Sequence, residues 1–172
     1  MTLERPSNRG PSLTFVLLTV LIVVICCAAR PASSGSQVFT GSTPSATPIS
    51  CAGAEAIRTA TFKKQSAGTR LRITYKDTAS AVGTKGGSVF ILGRIDGHAI
   101  TSPTGLRMAF GNVPAGTNFY SFGGSFTLVG YADGLAQGNH TLTFVYDTKS
   151  LLNGSFTCFR DTEPFLIEID ER

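Results

Sequence analysis

Residues able to carry acid–base or metal chemistry are few in this chain. Its only histidines are His98 and His140, and neither has a partner at metal-ligand spacing. No HExxH, CxxC or GxSxG run occurs, nor a GxGxxG or Walker-type loop that would cradle phosphate. Asp161 with Glu163, and Glu168 with Asp170, stand two residues apart. That spacing puts both carboxylates on one face of a strand, but calcium takes six to eight oxygen ligands, and a solvated strand face is the plainer reading. No catalytic residue, metal ligand or cofactor is therefore assigned.

Two features suit binding better than catalysis. Arg70, Arg72 and Lys76 alternate along one segment and project to one side, spaced about 6–7 Å per two residues in a strand. With Arg58 and Lys63 they form a candidate surface for a sulfated glycan or an acidic protein; a merely soluble face is the simpler alternative. The second feature is the aromatic span from Phe110 to Phe122, where Phe119, Tyr120 and Phe122 fill either a core or a subunit contact.

These residues must be positioned by strands. From Ile57 onward Thr, Phe, Val and Ile are frequent, helix formers are sparse, and the whole chain holds 19 Gly, 12 Phe and no Trp. Arg70–Lys76 alternates cleanly, with Leu71, Ile73 and Tyr75 on one face. Ser88–Ile95 follows a glycine-rich turn, Asp96-Gly97 is a hairpin signal, and Leu106, Met108 and Phe110 alternate again. Phe126–Tyr131, Thr141–Tyr146 and Phe165–Ile169 complete the set, with one helical turn expected between residues 132 and 139. Eight or nine short strands predict an all-β fold, an antiparallel two-sheet sandwich or jelly roll.

That domain spans residues 51–172. Residues 13–29 are an uncharged apolar run preceded by Arg5 and Arg9, the layout of a cleaved signal peptide or of a signal anchor. Either reading exports the domain, and a membrane is touched only through this segment if it is uncleaved. Residues 30–50, rich in Ser, Thr, Pro and Gly, read as a flexible linker. Without the leader, Cys51 and Cys158 are the remaining thiols. An intramolecular disulfide is the preferred reading, with an intermolecular bridge or two free thiols as alternatives. Asn139-His-Thr141 and Asn153-Gly-Ser155 are glycosylation sequons.

The net charge of +4 is too small to imply nucleic-acid binding. It is uneven, with nine Lys/Arg against three Asp/Glu in residues 51–107, and three against seven in residues 108–172. Such a bias suits pairing between strands or between subunits.

The stretches TATFKKQSAGTRLRITY, VFILGRIDGHAI, GLAQGNHTLTFVYDT and PFLIEIDE together resemble the C-terminal globular domain of the collagen triple helix repeat-containing protein family. That domain is similar to the trimeric jelly-roll heads of complement and tumour necrosis factor-like proteins, so the resemblance implies an extracellular, trimeric domain. The chain has no Gly-X-Y collagen segment and lacks most of that domain's cysteines. The expected function is an exported, non-catalytic binding or assembly module that self-associates as a trimer. The alternatives are a carbohydrate-active enzyme, which needs paired carboxylates about 5–10 Å apart in a groove, and a structural component of an extracellular coat or fibre.

Overall fold

The computed structural model describes residues 35–43, 45–100, 105–150 and 154–172; the side chain of Ser150 is not among the described features. The apolar run at 13–29 and the sequon residue Asn153 lie outside these residues.

Eleven strands occur among the described residues, and no helix. They are β1 (Ser36–Gly41), β2 (Thr47–Ile49), β3 (Ala56–Lys64), β4 (Leu71–Gly83), β5 (Gly87–Ile95), β6 (His98–Ala99), β7 (Arg107–Val113), β8 (Tyr120–Ala132), β9 (Gly138–Ser150), β10 (Phe156–Arg160) and β11 (Phe165–Glu171). Every pairing between them is antiparallel. Several strands are collinear pieces of one row. β11 and then β10 run along the same edge of β4, β1 and β2 lie beyond them, and β6 and β7 share one edge of β5.

Merging those pieces leaves four rows in each sheet. One sheet reads β1/β2, β10/β11, β4, β8, and the other reads β3, β9, β5, β6/β7. In chain order the rows pair first with last, second with seventh, third with sixth and fourth with fifth. A long hairpin wound up in this way is a jelly roll, as the strand pattern predicts.

Alternation explains the core. Leu71, Ile73 and Tyr75 on β4 meet Phe62, Leu142, Phe144 and Tyr146 from the facing sheet, all of them buried. The Tyr75 and Phe144 rings stack at 3.8 Å between centroids. At the Asp96-Gly97 turn both residues take positive φ, 51° and 82°, the conformation a two-residue hairpin of the mirror-image type demands.

Three expectations need correction. Residues 36–41 and 47–49, read as flexible linker, are strands β1 and β2 on the sheet edge. An edge strand needs one paired backbone and little apolar surface, and Phe39 packing on the core supplies that surface. The segment 132–139 holds no helical turn. Arg58 is not part of an outward cation row. A bulge at Ile57 lets both Ile57 and Arg58 face inward, so Arg58 shares the buried face with Ala60, Phe62 and Lys64.

Cys51 and Cys158 form a disulfide, with Cα atoms 5.4 Å apart and a sequence separation of 107. Cys158 lies in β10 opposite Ile49 of β2, and Cys51 follows just after. The bridge therefore anchors the chain where it leaves one sheet for the other. Such bonds persist in an oxidising compartment. The double substitution C51A/C158A is expected to lower unfolding free energy by about 3–5 kcal/mol. Urea unfolding followed by tyrosine fluorescence checks this, and a loss below about 1 kcal/mol would show the staple to be dispensable.

Candidate functional site

Arg58 on β3 reaches across the sandwich to Asp77 on β4, and both are nearly sealed from solvent at 5% and 3% exposure. Its Nε and one Nη donate to the two carboxylate oxygens at 2.9 and 3.2 Å. The Tyr75 hydroxyl donates to the same carboxylate at 2.5 Å, and the Thr78 amide at 2.8 Å. Arg58 also donates to Thr43 Oγ1 and to the Asp161 carbonyl, and its guanidinium lies 4.6 Å above the Phe165 ring. Burial, then the charge of Asp77 and the hydrogen bond to it, hold the Tyr75 hydroxyl well above the ordinary tyrosine range. Tyr75 therefore stays a neutral donor.

This network borders a break in its sheet. β11 pairs with β4 as far as Lys76, and β10 resumes at Ala79. Asp77 and Thr78 have no strand partner on that edge, because residues 161–164 leave the sheet there. A cleft of about 480 Å³ opens over the gap, within the usual range of ligand sites. Its walls carry the hydroxyls of Thr40, Thr78, Ser125 and Thr127, with Pro164, Phe165 and Leu166 as apolar surface. Lys76 stands on its rim.

The cations singled out in the sequence fare differently. Arg70 makes two bonds to Asp133, at 2.7 and 2.9 Å. Arg72 lies 3.5 Å from Asp170, which Arg172 also approaches. Lys63 is exposed on β3, in the other sheet from β4. Lys76 is exposed and has no ion pair among the described residues. The five residues therefore do not make one basic surface.

The basic and acidic halves interleave in both sheets, and their charges meet within the protomer: Arg70–Asp133, Arg72–Asp170, Arg107–Asp147 and Lys64–Glu171. Sequence reading missed the last of these. Lys64 is fully buried, donating to Thr69 Oγ1 and the Ser66 and Thr69 carbonyls. Glu171 accepts from the Gln65 and Ser66 amides and from Thr69. Burial pushes the Glu171 carboxyl up, but these bonds and Lys64 outweigh it, so its net shift is downward. The alternation itself was the signal, since it puts Lys64 on the face of Phe62.

The aromatic span forms a ladder along one side of the sandwich. Phe110 of β7 contacts Phe122 and Phe126 of β8 at 5.6 and 6.0 Å, and Tyr120 continues the row. The Phe122 ring lies so close to Gly111 that a Cβ there would come within 2.1 Å. Phe126 reaches the core at Tyr75, whereas Phe119 and Tyr120 are 67% and 42% exposed. Thus the span is core at one end and surface at the other. Among the described residues β8 forms ladder pairs with β4 alone and its other edge has no strand partner, and none of its thirteen residues is charged.

Asn139 is exposed at the start of β9, opposite Lys63. Its neighbour His140 is only 11% exposed at the side chain and packs on Phe62. Its Nδ1 lies 2.7 Å from Asp96 and its Nε2 2.9 Å from the Ala136 carbonyl. Both neighbours are acceptors, so the doubly protonated ring satisfies both. Consistently, the hydrogen bond to Asp96, then that to Ala136, raises the His140 pKa. The Thr141 amide, then His140, lowers that of Asp96.

No protein-family model and no curated protein sequence matches the chain.

The two shifts set a pH window. His140 stabilises the fold fully below its unfolded pKa, and this is lost as pH rises through its folded value. Asp96 stabilises it above its own unfolded pKa, and this is lost as pH falls through its folded value. The pair therefore contributes most in the mildly acidic range. H140F, which keeps the ring contact with Phe62, removes both hydrogen bonds and is expected to lose about 1–2 kcal/mol there, and less at pH 8. Denaturation midpoints across pH check this; an equal loss at both pH values would contradict the assignment.

Proposed function

We propose that the chain is an exported, extracellular, non-catalytic module that self-associates, with the trimer as its state. The observation that carries this reading is the β8 edge. A thirteen-residue edge strand without charge, with Tyr120 and Val129 exposed on it and Phe119 in solvent just before it, lacks among the described residues the charges and prolines by which a monomer blunts a sheet edge. Aromatic side chains of this kind are enriched where protein surfaces meet. The number three comes from the resemblance to trimeric jelly-roll heads. Export is supported by the buried disulfide and by the charge-flanked apolar run in the sequence. The charge bias adds nothing to the assembly reading, because its charges pair inside the protomer.

The enzyme reading finds less support. Asp77 is the one carboxylate bordering the cleft among the described residues, and it is occupied by Arg58, Tyr75 and Thr78.

Sedimentation equilibrium of the full chain in matched-density detergent is expected to give a trimer at micromolar concentration. F119S/Y120S is expected to raise the dissociation constant at least tenfold without moving the urea midpoint of the dissociated protomer, since both side chains are exposed. A monomer for the unaltered chain would overturn the proposal.

A further inference from the structure

We infer that the cleft over the β10–β11 break is a binding site for an acidic sugar unit, with Lys76 pairing to its anionic group. This goes beyond self-association and does not rest on it.

The site is made by pairing register. Thr40, Leu166, Lys76 and Thr127 stand side by side on four neighbouring rows, and Thr78 opposite Ser125 forms the next row. Neighbouring rows lie about 4.8 Å apart, so the row of four spans about 14 Å, room for a sugar ring and its substituents. Hydroxyl side chains both donate and accept, which matches a polyol, whose every hydroxyl also does both. Thr78 and Ser125 bond each other at 3.0 Å, so they present a preformed pair. Pro164 and Phe165 supply the apolar surface against which the C–H face of a sugar ring packs. An acidic peptide adding to the sheet would instead need open backbone groups, and at the break the Thr78 amide already donates to Asp77.

Charge selects among sugars. Arg70, Arg72 and Arg107 on the surface each meet a carboxylate, whereas Lys76 meets none among the described residues. The one carboxylate among the residues lining the cleft, Asp77, is turned inward and bonded twice by Arg58. Because Lys76 is exposed, such a contact is screened by salt, and the affinity is expected to be modest and salt-sensitive.

The test is binding to the full chain, followed by amide NMR shifts with a neutral hexose, a hexuronic acid, a sulfated hexosamine and an acidic tetrapeptide. One of the two anionic sugars is expected to shift Lys76, Thr78, Ser125 and Thr127 and to bind at least tenfold more tightly than the neutral hexose. Which anion does so identifies the ligand as carboxylated or sulfated. K76Q is expected to abolish that preference, while R72Q, altering a cation already paired, leaves it within twofold. The inference is overturned by equal binding of neutral and acidic sugars, by tighter binding of the peptide, by shifts elsewhere, or by no binding at all. Because the readout is per residue and per ligand, a failed trimer leaves it standing.

Discussion

A charge taken out of water must be paired, and of the two pairs this sandwich buries between its sheets, Arg58–Asp77 and Lys64–Glu171, the first sets the frame. Arg58 and Asp77 belong to facing layers, so their bidentate contact ties the layers at one register. Desolvating two ions costs several kcal/mol each, and the surrounding donors and acceptors offset that cost. Tyr75 and Thr78 satisfy the carboxylate, and Thr43, the Asp161 carbonyl and the Phe165 ring complete the guanidinium shell. A pair of this kind is a weaker source of stability than of specificity. Strand β3 cannot slip by one residue without exposing Phe62 and orphaning Asp77.

The same contact shapes the surface. Because Arg58 holds the Asp161 carbonyl, the chain is drawn off the sheet just after β10 and returns only at Phe165. The gap beside Asp77 and Thr78 follows from that departure, and the cleft lies over the gap. At the opposite end Lys64 and Glu171 do comparable work, fixing the β3–β4 turn to the last strand. Jelly-roll winding brings late strands beside early ones, which is why a chain with a basic first half and an acidic second half closes its charges on itself.

Much of this was legible in the residues. Clean alternation in β4 and β11 marked the buried faces, Asp-Gly marked the hairpin, and the recurrence of short strands implied the sandwich. Other features were hidden for physical reasons. A single bulged residue at Ile57 reverses the face of Arg58, and no local pattern announces a bulge. Strands β1 and β2 lie in a segment rich in Ser, Thr, Pro and Gly, whose composition reads as linker until a partner edge is known. β10 is five residues long and shares its row with β11, so it left no period of its own. His140 is different, since alternation with Leu142 and Phe144 already pointed it inward. What sequence could not supply was the break in the sheet, because it depends on where three distant segments stop pairing.

The central claim is that Arg58 and Asp77 act as one coupled unit, and a double-mutant cycle measures that coupling directly. R58M and D77N, each alone, are expected to destabilise the fold by about 3–5 kcal/mol, since each leaves a buried charge uncompensated. The double variant R58M/D77N is expected to lose at least about 2 kcal/mol less than the sum of the two, within the range seen for residues in direct contact. Strictly additive losses in urea unfolding at neutral pH would contradict the account.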